Sequence, residues 1–211
     1  MEPWRSKARR SGIYAALAIL VSGVPFLMGG EEGSASVRGG NEGDPTGDRV
    51  QVRVADREEI ARLAESRAAA PSFGEPVTSA AWTEPADVHR GTAFDLVVAL
   101  RIAAGHHIYS PDKGGQGTFA PTTVRLVLPD GLAAEGDWVV SVPDRVKDGR
   151  IEAAAVIFRR TIQAGLNAPA GRVSMQVELR YQACTEELCW PPRKVTLEAR
   201  ARMTTDQKEA P

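Results

Sequence analysis

The sequence predicts an all-β fold, a β-sandwich over residues 73–203, preceded by an export segment, a flexible linker and a short helix. Two observations carry that prediction. Several segments alternate apolar and polar residues with period two, as strands do when one face is buried and the other is wet. About seven such segments fall within roughly 130 residues, with Gly, Pro and Asp turns between them, the spacing of a sandwich. No internal repeat is present.

The elements follow in order. Arg5, Lys7, Arg9 and Arg10 precede an apolar run of 16 residues, Ile13 to Met28, broken by Ser22, Gly23 and Pro25. That is the layout of a secretory signal and is short for a membrane span. No Ala-x-Ala pattern stands before Glu31, so residues 1–30 are read as a signal peptide or an N-terminal membrane anchor. Basic residues ahead of the apolar run place the rest of the chain outside the cytoplasm in either case. No Cys stands directly after the run, which argues against a lipoprotein anchor. Gly29 to Asp48 is Gly-rich and acidic, with almost nothing to bury, and reads as flexible linker. Asp56 to Ala70 reads as a spacer helix capped by Asp56, with Glu59 three residues on, and stopped by Pro71. Residues 31–72 are thus expected to be a linker with a short helix, dispensable for folding. The expected strands are Val77–Trp82, Phe94–Ile102, Val124–Leu128, Trp138–Val142, Ala155–Ile162, Val173–Tyr181 and Val195–Ala199. Residues 204–211 read as a polar tail.

The formal net charge is −1 over 211 residues, which argues against a nucleic-acid partner. Chemistry concentrates at the two cysteines. They stand in Tyr181-Gln-Ala-Cys184-Thr-Glu-Glu-Leu-Cys189-Trp190-Pro191-Pro192. Pro191-Pro192 cannot lie in a central strand, so Cys189 is expected in a turn or on an edge. Two such thiols can bond if the loop brings their Cα atoms within about 7 Å. An exported chain meets an oxidising compartment, where that bond persists. A ring this short stabilises by only about 2 kcal/mol. Tyr181 and Trp190 flank the pair as shielding or docking aromatics. Glu186 and Glu187 disfavour thiolates between the cysteines, so the site reads as one that a partner must activate. A zinc set from both cysteines plus His89, His106 or His107 lacks the usual tight ligand pairs. No C-x-x-C motif and no βαβ pattern stands in the chain, which sets it apart from thioredoxins. On the residues alone, a surface staple and a working redox pair both fit.

The chain resembles the N-terminal periplasmic domain family of the disulfide reductase DsbD over roughly Phe73 to Met203. Tyr181-Gln-Ala-Cys184 and Cys189-Trp190-Pro191-Pro192 carry the likeness most specifically. Gly105-His-His-Ile-Tyr109, Pro121 to Gly131 and Val156 to Ile162 fall in the same order as in that family. The resemblance implies an immunoglobulin-like sandwich and a thiol–disulfide interchange module that uses no cofactor. It implies electrons taken from a thioredoxin-like donor, here in trans, and passed to oxidised exported protein substrates through mixed disulfides. It makes Cys189 the partner-attacking thiol and Cys184 the resolving one, with His107 and Tyr109 packed near the pair. His107 departs from the family's usual aromatic. The four residues between the cysteines are fewer than in the best-known members. Val142 to Gly149 falls where the family carries an aromatic cap loop, and it holds no aromatic, which leaves either Val146 as the cap or no cap at all. The alternative is a non-catalytic adaptor sandwich with a structural disulfide; a metal-delivery role for the two thiols is a third.

Overall fold

The computed structural model describes residues 50–112, 119–143 and 146–205. The export segment, the Gly-rich linker and the end of the tail lie outside the described residues. In chain order the elements are β1 (Val50–Val54), α1 (Arg57–Glu65), β2 (Val77–Glu84), β3 (Asp87–His89), β4 (Ala93–Ile102), β5 (His107–Tyr109) and β6 (Thr123–Val127). They continue with β7 (Leu132–Val142), β8 (Arg150–Ile151), β9 (Ala155–Ala164), β10 (Gly171–Tyr181), β11 (Ala183–Cys184) and β12 (Arg193–Thr204). Among the described residues no helix is long and apolar enough to cross a membrane.

The strands form an immunoglobulin-like sandwich. One sheet has the order β1-β7-β9-β4-β2 and the other β3-β12-β10-β6. Alternation in β10 buries Val173, Met175, Val177, Leu179 and Tyr181, and leaves the residues between them on the outer side. These meet Phe94, Leu96, Val98, Leu100, Trp138 and Phe158 from the opposite sheet in the main core. The Tyr181 hydroxyl donates to the Val77 carbonyl at 3.1 Å, tying β10 to β2 across the sandwich.

All seven expected strands are present, most of them longer at one or both ends. The segment expected to be only linker and spacer helix is different. Val50–Val54 is a strand, paired in parallel with Trp138–Val142 at the edge of the larger sheet. The helix is shorter than expected, and its Asp56 carboxylate accepts from the Glu59 backbone N–H at 2.8 Å, as the capping pattern indicated. It does not act as a spacer. Ile60 and Ala64 are buried against Trp82, Val97, Ala99, Ala155 and Ile157. β4 is therefore covered on both faces, which is why Leu96 to Leu100 is a continuous apolar run rather than an alternating one. At the other end β12 runs through Thr204, which takes that residue out of the expected tail.

β10 and β12 pair antiparallel without a break from Gly171↔Met203 to Tyr181↔Arg193. The whole cysteine motif is thus the loop of one long hairpin. This loop folds onto a third, small sheet of order β11-β5-β8.

Candidate functional site

Cys184 and Cys189 form a disulfide with Cα atoms 4.0 Å apart. The backbone explains the approach. Trp190 N–H donates to the Ala183 carbonyl at 2.9 Å, and Thr185 N–H donates to the Leu188 carbonyl at 2.8 Å. Between these two hydrogen-bonded rungs the cysteines face each other as a non-hydrogen-bonded antiparallel pair, the position where side chains lie closest. The Thr185 hydroxyl accepts from the N–H groups of Glu187 and Leu188, which tightens the turn. Glu186 and Glu187 stand exposed at its tip. Cys184 is fully buried, whereas Cys189 is half-buried on the outer edge, as Pro191 and Pro192 dictate.

The small sheet sets out the rest of the site. Cys184 pairs with His107 across β11 and β5, and Tyr109 pairs with Arg150 across β5 and β8. His107 and Tyr109 are two residues apart on one strand and share a face. Their rings meet edge to face, 5.5 Å between centroids, and Tyr109 stacks on Phe119 at 4.8 Å. Burial pushes the Tyr109 hydroxyl above the usual tyrosine range. Burial likewise holds His107 below the usual histidine range, and the Arg150 charge acts in the same direction. The His107 ring is therefore neutral at pH 7, and its buried Nε2 has no hydrogen-bond partner.

The structure sets Cys184 beside Cys189 and His107, with Tyr109 edge to face on His107, while Trp190 follows Cys189 and packs on His106. Tyr181 stands apart from their outer face. Its strand position points it into the main core, where it joins the two sheets, so it is not a shield at the rim of the disulfide. Val146 is half-buried and packs against the main core as well; Asp144 and Arg145, from the same expected cap loop, lie outside the described residues. What reaches the cysteine loop is Arg150, the first residue after that expected loop. Asp148 and Gly149, both with positive φ, make the tight hairpin turn from Lys147 to Arg150. The Arg150 guanidinium then reaches Glu186 at 3.2 Å, between the cysteines in sequence. Both partners are exposed enough that the pair contributes little stability; its effect is to hold the tip of the ring against β8.

Sequence reasoning passed over Gln182, Phe119 and Arg150, and weighed His106 only as a zinc ligand. The Gln182 side chain accepts from Ala120 N–H at 2.8 Å and donates to the Trp190 carbonyl at 3.1 Å, joining both flanks of the site. His106 packs against the Trp190 ring at 5.0 Å. A single polar residue between Tyr181 and Ala183 was a signal for Gln182; nothing local links Arg150 to Glu186.

Several solved structures align with the chain, two of them as follows. The N-terminal periplasmic domain of ScsB from Proteus mirabilis does so at 13% identity and TM-score 0.34, over 58% of this chain and 44% of that one. The major pilin subunit BcpA of Bacillus cereus does so at 8% identity and TM-score 0.37, over 60% of this chain and 41% of that one. This chain thus spans less than half of either, and likenesses of this order carry no functional weight. Among curated proteins none matches. The family model described as thiol:disulfide interchange protein DsbD, N-terminal, matches residues 78–201, from β2 into β12 and through both cysteines. With more than half of its length matched, the chain belongs to the DsbD N-terminal domain family.

Proposed function

We propose that this domain is an exported, periplasmic thiol–disulfide interchange module. It takes electrons from a thioredoxin-like donor and passes them to oxidised exported proteins through the Cys184/Cys189 pair. Membership of the interchange family supports the reaction class. The observation that carries the reading furthest is the asymmetry of the disulfide: Cys184 is fully buried and Cys189 is partly exposed. A partner thiolate reaches only the outer sulfur, so Cys189 forms the inter-protein bond and Cys184 closes the ring again. His107, Tyr109 and Trp190 shield the pair, and residues 1–30 direct export or anchor the chain to the outer face of the inner membrane.

Two measurements test this. The midpoint potential of the pair should lie above about −300 mV; a lower value marks a resistant structural disulfide and favours the adaptor reading. Reduced Cys184→Ser protein mixed with a thioredoxin variant that lacks its second cysteine and carries thionitrobenzoate on its first should accumulate a mixed disulfide at Cys189 on a non-reducing gel, because neither partner then holds a thiol to resolve it. Cys189→Ser should accumulate little. Equal amounts from both variants would remove the assignment of roles.

A further inference from the structure

We propose that His107 is the proton acceptor for Cys184 in the resolving step, a role that presupposes the exchange activity proposed above. The register supplies the geometry. His107 stands opposite Cys184 on β5, and Cys184 stands opposite Cys189 across the ring. Residues directly opposed in antiparallel strands share a face, with Cβ atoms about 4.5–5.5 Å apart. An imidazole, a buried cysteine and a partly exposed cysteine therefore stand side by side in one row.

Burial makes the row chemically specific. Cys184 is 0% exposed and His107 2%. A thiol there has no solvent to take its proton, yet it must become a thiolate before it can attack. His107 Nε2 is buried and has no hydrogen-bond partner while the disulfide is closed. Opening the disulfide places an S–H in the neighbouring position. The orphaned nitrogen thus belongs to the oxidised state and gains its donor on reduction. With the ring proton on Nδ1, Nε2 is an acceptor. Burial lowers the histidine's proton affinity, Arg150 and His106 act the same way, and Glu186 and Glu152 oppose them. The direction is the one a base needs in order to be unprotonated at neutral pH. Glu186 is a poorer candidate, since it is largely exposed and already paired with Arg150. The Tyr109 hydroxyl, pushed upward by burial, remains protonated.

The step balances as follows. The Cys189 thiolate attacks a partner disulfide, a mixed disulfide forms, and the partner's other sulfur leaves as a thiolate. Cys184 gives its proton to His107 Nε2. The Cys184 thiolate attacks Cys189 Sγ, the Cys184–Cys189 bond forms, and the bond from Cys189 to the partner breaks. The electron pair leaves on the partner's sulfur, which takes the proton from the imidazolium or from water. The partner has gained two electrons and this pair has lost them. In the reverse direction a donor thiol gives its proton to His107 and attacks Cys189 as the thiolate, and the imidazolium so formed protonates Cys184 as it leaves.

A dye disulfide separates the two steps. Chemically reduced, desalted protein is mixed with one equivalent of 5,5′-dithiobis(2-nitrobenzoate), and thionitrobenzoate release is followed from about pH 5 to about pH 9. The first release reports attack by Cys189 and the second reports resolution by Cys184; Cys184→Ser, giving one release only, fixes the assignment. In the wild-type protein the second phase should be flat at neutral pH and fall in acid as the imidazole protonates. His107→Phe should leave the first phase unchanged and slow the second on the order of 10²-fold at neutral pH. Raising the pH toward the thiol's own range should restore it. His107→Gln, which keeps a polar group but takes no proton, should follow His107→Phe. A second phase with the same pH profile in the wild type and both variants overturns the proposal. Equal slowing of both phases, without recovery at high pH, also overturns it, because that marks a packing role. The dye reaction needs no protein donor. A thioredoxin that fails to reduce the wild-type disulfide would therefore count against the exchange activity, while the two phases still decide the role of His107.

Discussion

Gln182 uses both ends of its amide on the cysteine loop, one toward Ala120 and one toward Trp190. Truncating it leaves the buried Ala120 N–H without an acceptor and frees the backbone after Cys189. An unsatisfied buried group costs about 1–3 kcal/mol. Gln182→Ala is therefore expected to lower stability by about 2 kcal/mol in urea unfolding, and to change Trp190 fluorescence in the native baseline. An unchanged midpoint would show that water replaces the amide at no cost. The site was legible in the sequence as far as chemistry is local. The cysteines, Trp190 and the Pro-Pro pair announce themselves by spacing and residue type. His107 and Tyr109 entered through family resemblance, because nothing in Gly105-His-His-Ile-Tyr109 says that β5 will lie beside β11. Arg150 was illegible, since its partner Glu186 lies 36 residues away.

At the scale of elements, α1 and β1 change what the N-terminal segment is for. Ile60 and Ala64 cover the outer face of β4, and β1 occupies the edge of β7. A chain beginning at Phe73 would expose Trp82, Val97, Ala99, Ala155 and Ile157 to water. Fully burying one large apolar side chain is worth about 1.5–3 kcal/mol, so removing residues 1–72 is expected to cost on the order of 3–5 kcal/mol. Comparing urea midpoints of the long and short chains checks it; equal midpoints would mean that the helix merely rests on the sheet. The strands of the sandwich were legible because alternation reports a buried face directly. Val50-Gln-Val-Arg-Val54 alternates too, but five residues beside a Gly-rich linker carry little weight on their own. The helix's docking was hidden for another reason: a thin apolar face of Ile60, Leu63 and Ala64 gains its meaning only from the unbroken apolar run on β4 that receives it.

For the whole molecule, the two sheets and their shared core lie outside the cysteine ring. A carrier must stay folded in both redox states, and this architecture allows it. Opening a ring this small removes roughly 2 kcal/mol of chain restriction. Reduction with dithiothreitol should therefore lower the unfolding free energy by about that amount while the transition stays cooperative. Loss of cooperative unfolding on reduction would show that the disulfide holds the sandwich together. The hairpin that presents the ring has one more consequence. Its strands register through Tyr181↔Arg193 before the loop departs, so what happens beyond that rung need not disturb the sheet. Adding two residues between Glu186 and Glu187 would raise the entropy of closure by only about 0.3 kcal/mol. Chain entropy alone therefore sets only a weak limit on the length of the ring. In a lineage of such domains the count of residues between the cysteines is then a drifting character, and descent is better traced through the strands on either side.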